Sequence, residues 1–174
     1  LRIESFIYMP GFAFSVVASS YVGERVGAGE FREGRVIGLK IAKLATAIML
    51  FLGVVAAALS GVLVKPFSTD QEVLELASLY LVLAGLSEAG LALAMSLSGA
   101  LRGAGNTLIP LVVSASGLYL FRVIPTSILT KFIGVVGAWI SMFADVYLRG
   151  AILYVVYIKY FDKLAVKWSE ESVH

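Results

Sequence analysis

The sequence predicts an all-α fold, a polytopic bundle of about five transmembrane helices, and three observations carry that reading. The stretch 44–64 contains no charged residue, and comparable apolar runs recur as far as residue 158. A helix rises about 1.5 Å per residue and a bilayer core is roughly 30 Å thick, so about twenty apolar residues are enough to span it. The composition is 59% hydrophobic and 15% charged, and a mean hydropathy of +0.91 lies well outside the range of soluble domains.

The first helix is expected over 3–22 and contains Pro10 and Gly11, which in a membrane helix mark a kink that neighbouring helices tolerate. The second, over 36–64, opens with Lys40 and Lys43, long side chains able to snorkel to the headgroup region. Thr69 and Glu72 then have capping-box spacing, with Asp70 and Glu72 suited to a helix N-terminus, so a third helix runs over 70–101. Asn106 or Thr107 caps a fourth over 107–130, which contains Pro110 and Pro125. A fifth spans 134–159 and leads into a tail over 160–174. The odd helix count, and a start at Leu1 with no initiator methionine, lead us to expect at least one further helix upstream.

Orientation follows from the Lys and Arg in short loops. Arg25, Arg32, Arg35, Arg102, Lys159, Lys163 and Lys167 fall on one side, against Lys65 and Lys131 on the other. The expectation is a multi-pass cell-membrane protein with a cytoplasmic C-terminus and with Tyr154, Tyr157, Tyr160 and Trp168 toward that interface.

Several classes of chemistry are disfavoured. There is no cysteine, and the single histidine is the terminal residue His174, so neither a thiolate nucleophile nor a His/Cys metal site is available. No catalytic residue, metal, organic cofactor or nucleic-acid partner is expected, and the protein is read as a non-enzyme. Two glycine loops, at 27–29 and 103–105, lack the Lys-Ser/Thr pair of a P-loop and read as helix endings.

Charges inside the apolar runs are costly and tend to face a cavity or one another. Glu88 is the only charge in 76–101, about 18 Å along the helix from Leu76 by the standard rise. Ala84, Gly85, Ala92, Met95 and Gly99 share its stripe and leave room either for close packing or for a ligand. Glu88 therefore reads either as a carboxylate that exchanges a proton or binds a cation, or as a structural acid hydrogen-bonded across helices. Asp145 and Arg149 stand four residues apart on one face and are expected to pair, with Arg122 of the preceding helix completing a buried charge cluster of structural role.

Four motifs in order, VGERVGAG at 22–29, GALRGAGNTLIP at 99–110, RVIP at 122–125 and GVVGAWI at 134–140, resemble the C-terminal half of a multidrug and toxic compound extrusion (MATE) transporter, of the multidrug/oligosaccharidyl-lipid/polysaccharide flippase superfamily. The resemblance implies helices eight to twelve of a twelve-helix, two-lobe transporter, so that 1–174 is a partial C-terminal lobe lacking helix seven and the N-terminal lobe. It further implies secondary active antiport, in which organic cations and amphipathic compounds leave in exchange for H+ or Na+ by alternating access. The implied partners are the bilayer, the missing lobe of the same transporter and cationic small molecules, and the chain alone is expected to be inactive. Within that frame the substrate- or ion-binding candidates are Glu88, Ala84, Ala92 and Met95, and the hinge and loop positions are Pro10, Gly11, Arg102, Gly103 and Pro125. The chain departs from the family pattern at Asn106, where aspartate is common, and at Ala89, near which proline is common. Two alternatives remain: a lipid-linked saccharide flippase, whose cavity holds more cationic side chains, and a non-transporting scaffold with a tightly packed interior beside Glu88.

Overall fold

The structure is a computed structural model. It describes the backbone of residues 2–65 and 70–171 and the side chains of 9–65 and 70–163. The expected roles of Thr69, Lys167 and Trp168 lie outside the described side chains.

Helix dominates because the backbone of an apolar segment must satisfy its own polar groups once water is excluded. In chain order the elements are α1 (Arg2–Gly27), α2 (Phe31–Ala58), the single turn α3 (Ser60–Leu63), α4 (Gln71–Gly103), α5 (Leu108–Gly117), a π-helical segment (Leu118–Val123), α6 (Ile124–Ile133) and α7 (Val135–Glu171). Among the described residues, four stretches are long and apolar enough to cross a membrane: Phe31–Ala58, Gln71–Gly103, Leu108–Ile133 and Val135–Lys163. Large apolar side chains such as Phe12, Phe51, Leu111 and Phe132 are exposed on the outside of the bundle, as lipid-facing residues are.

Several boundaries differ from expectation for local reasons. The second helix breaks at Leu59, and Ser60 of the following turn meets Ser78 of α4, Oγ to Oγ 2.9 Å. Asp70 caps α4, its Oδ1 accepting from the Glu72 N–H at 3.0 Å. The residues 160–171 expected as tail continue α7, because no Gly or Pro follows Gly150 to end it. Helix α1 passes Pro10 unbroken and runs on to Gly27.

Both glycine loops close helices in the same way. Gly29 N–H donates to the Val26 carbonyl and Glu30 N–H to that of Arg25. Gly105 N–H donates to the Arg102 carbonyl and Asn106 N–H to that of Leu101. Each is a Schellman ending whose glycine takes positive φ, +78° at Gly29 and +82° at Gly105. Asn106 then starts α5, its Oδ1 accepting from Ile109 N–H at 3.0 Å.

Helix α4 is the centre, packed against α1, α2 and α7. Small residues let the backbones approach: Gly99 and Gly103 lie against the Ser15 and Ser19 carbonyls of α1, and Gly85 against Gly53 of α2. The buried seam of α2 is Gly34, Gly38, Ala42, Ala45, Met49, Gly53 and Ala56, spaced three and four apart to form one stripe. A side chain at Gly85 collides with the Gly53 carbonyl, whereas Gly27 has open space around it. Gly85→Val is therefore expected to destabilise the bundle by about 1–3 kcal/mol, the usual cost of overpacking. Thermal unfolding of the detergent-solubilised protein checks this against Gly27→Ala, which should melt like the wild type.

Candidate transport site

The depth of each buried charge is fixed by helix register. Tyr80 meets Trp139, Gly90 meets Tyr147, and Leu93 meets Gly150, so α4 and α7 run parallel and in step. That step places Asp145 of α7 level with Glu88 of α4. Gly117 meets Arg149 and Leu129 meets Gly137, so the α5–α6 stretch runs antiparallel to α7, and Arg122 falls at about the same level. Four charged groups thus share a layer near the middle of the spans.

Glu88 is 3% exposed. It shares a face of α4 with Met95 and Gly99, which touch Gly11 and Ser15, so this face is directed at α1. The rest of the expected stripe is occupied by packing. Ala92 is buried with Ala45, Met49 and Phe14, Gly85 closes on Gly53, and the Met95 sulfur sits beside Gly11. Ala84 is buried as well, its carbonyl accepting from the Ser87 hydroxyl at 2.7 Å. Ala84 and Ala92, expected as binding candidates, are thus both buried between helices.

Asp145 is fully buried, and its Oδ2 accepts from an Arg149 guanidinium nitrogen at 2.6 Å. The aliphatic stem of Arg149 packs on Gly117, where any side chain would displace it. Ser141 lies one turn before Asp145, buried, with its hydroxyl donated to the Gly137 carbonyl at 2.8 Å. The expected third member does not join this pair. Arg122 is exposed and makes no ion pair or hydrogen bond among the described residues. Pro125 has no N–H for the carbonyl of Phe121, and the chain answers with a π-helical turn over Leu118–Val123. Arg122 stands on that turn, with Ala138, Trp139 and Met142 of α7 beside it.

Arg122 instead lines a groove of about 790 Å³ between α4, the π-helical segment and α7, together with Tyr80, Leu118, Thr126, Trp139 and Met142. The Tyr80 and Trp139 rings lie 5.3 Å apart and tilted by 57°. Sequence reasoning missed this aromatic pair because joining positions 80 and 139 needs the parallel register of α4 and α7. The open groove on this side is lined by Arg122 rather than by Glu88.

Of the hinge and loop positions, Arg102 reaches back along α4 to donate to the Ser15 hydroxyl at 2.9 Å, tying the end of α4 to the middle of α1. Near it, at the end of the bundle that gathers Arg25, Arg32 and Arg35, the Arg35 side chain clasps α7 through Asp162 at 3.0 Å and the Ile158 carbonyl at 2.8 Å. Among the described residues no group of His, Cys, Asp and Glu is arranged to hold a metal ion.

Comparison with known proteins places this geometry. A family model described as MatE matches residues 1–128. The probable multidrug resistance protein NorM of Thermotoga maritima is 29% identical over 99% of this chain and 36% of its own length. The multidrug and toxin extrusion protein 2 of Mus musculus is 30% identical over 97% of this chain and 29% of its own. The chain therefore spans about a third of the relatives it matches. Among solved structures, the eukaryotic MATE transporter AtDTX14 superposes with a TM-score of 0.84 at 27% identity, over 97% of this chain and 38% of that one. The MATE transporter VcmN of Vibrio cholerae in its bent form gives the same TM-score at 20% identity, over 95% of this chain and 38% of that one, a likeness of fold.

Proposed function

This chain belongs to the MatE family of multidrug efflux transporters, and from that premise we propose that it forms part of the C-terminal lobe of an antiporter that exports organic cations in exchange for H+ or Na+. The observation that carries the proposal is Glu88, a carboxylate 3% exposed in the middle of a membrane-spanning helix. A buried acid at that depth is expensive to keep and is characteristic of ion and substrate pathways. In the outward-open state Glu88 takes up the coupling ion. In the inward-open state its freed carboxylate attracts a cationic drug. The two compete for one charge, and a shift between states driven by either ligand couples their fluxes in opposite directions. The partner lobe supplies the opposing wall, and the rocking of the two lobes alternates access.

The small-residue contacts of α4 with α1 and α2 support this reading, because rigid close packing suits a body that rocks as a unit. The basic end formed by Arg25, Arg32, Arg35, Arg102, Lys159 and Lys163 supports a plasma-membrane orientation with the C-terminus in the cytoplasm.

The deciding experiment is efflux of a fluorescent organic cation from cells making the full-length protein, under an imposed proton or sodium gradient. Export that follows one gradient and collapses with it is the expected result and also names the ion. No gradient-dependent export from well-expressed protein refutes antiport and favours a lipid-linked saccharide flippase of the same superfamily.

A further inference from the structure

We propose that the groove between α4, the π-helical segment and α7 is an anion subsite, in which Arg122 takes the carboxylate or sulfonate of an amphiphile whose apolar body lies on Tyr80 and Trp139. The groove holds about 790 Å³, the size of a drug-sized ligand site. Its walls are aromatic, aliphatic and hydroxyl-bearing, and among the described residues that line it Arg122 is the one charge and none is an acid.

The contrast with the neighbouring arginine is the core of the argument. Arg149, at nearly the same depth, is neutralised by Asp145. Arg122 is exposed and has no ion pair or hydrogen bond among the described residues. A guanidinium held inside the membrane span without a counter-charge is costly, so an anion entering the groove gains more there than it does in water. The planar fork of Arg matches a carboxylate or sulfonate through two parallel hydrogen bonds. The tilted Tyr80–Trp139 pair offers ring surface to an apolar or aromatic body beside it. Arg122 lies roughly 16 Å along the helix from its end at Ile133, by the 1.5 Å rise, which is too deep for the phosphate of an ordinary bilayer lipid and within reach of a small molecule inside the bundle. Arg122 stands on the π-helical turn before Pro125, and such turns recur at functional sites.

The proposal rests on the antiporter reading only in taking the ligand as cargo, and its test is binding without transport. The full-length protein in phosphatidylcholine nanodiscs is titrated into dansylglycine and into its neutral amide, followed by fluorescence anisotropy. The carboxylate is expected to bind at least about tenfold more tightly than the amide, the least that a paired, charge-assisted contact should give. Arg122→Gln should abolish that preference while the amide binds as before, which also certifies the fold. Arg122→Lys should keep part of it, and Trp139→Ala should weaken both ligands together. Equal binding of carboxylate and amide by the wild type overturns the proposal, as does a preference that survives Arg122→Gln. Loss of the preference when phosphatidylglycerol replaces part of the lipid assigns the groove to a lipid headgroup and overturns it too. Failure of cation efflux with the carboxylate preference intact sinks the antiporter reading alone, and the reverse pattern sinks the subsite alone.

Discussion

Replacing Glu88 by Gln is expected to abolish gradient-driven export of an organic cation while the protein still reaches the membrane in normal amount. The substitution keeps the length and planarity of the side chain, so the contact of this face of α4 with α1 is preserved, and it removes the one charge the carboxylate provides. A cation bound at a site this buried, 3% exposed, loses a partner that water cannot replace. Removing one member of a desolvated charge pair costs about 2 kcal/mol or more, a factor of roughly thirty in binding. The proton or sodium ion loses the same group, so coupling falls with affinity. The measurement is the initial rate of dye efflux under an imposed gradient, divided by surface abundance. Glu88→Asp, which retains a carboxylate set back by one methylene, should recover part of that rate. Export by Glu88→Gln that still follows the gradient at the wild-type rate removes Glu88 from the coupling step.

The architecture was legible because hydropathy and the physics of a bilayer act on each segment alone. Runs free of charge had to be helices, and Gly29 and Gly105 had to end them, since only glycine takes positive φ there without strain. Pairwise geometry was much less legible. Ala92 and Gly99 satisfied two descriptions, packing surface and ligand space, and that α1 and α2 lie directly on them could not be read from the sequence. Arg122 was grouped with Asp145 and Arg149 by depth on an antiparallel neighbour, and depth alone does not say which groups meet. The π-helical turn before Pro125 was not legible either, since whether a proline is met by a kink or by a wider turn depends on the helices around it. The groove at Tyr80 and Trp139 joins residues far apart in sequence, and only the parallel register of α4 and α7 brings them together.

Asp145→Asn should produce the opposite pattern from Glu88→Gln: less protein in the membrane and a lower melting temperature, with export per surviving molecule little changed. Asp145 is fully buried and its partner Arg149 is 18% exposed at the side chain, so the pair is held mostly away from solvent. Neutralising the acid leaves the guanidinium with its charge uncompensated while its stem remains pinned on Gly117. Among the described residues one Asp145 oxygen and the Arg149 Nε already lack hydrogen-bond partners, so little else described in the layer can take over the lost interaction. Breaking a buried pair from one side costs about 3 kcal/mol or more in soluble proteins. Polar contacts inside membranes average less, and Arg149 retains some freedom to snorkel, so roughly 2 kcal/mol is the expectation here. Replacing both members, Asp145→Leu with Arg149→Met, should restore much of the stability, because it removes the stranded charge along with the attraction. Thermal unfolding of the solubilised full-length protein and quantified surface expression separate the variants. A stable Asp145→Asn protein that reaches the membrane and exports nothing would move Asp145 from the frame of the bundle into the transport cycle, level with Glu88 and one helix away from it.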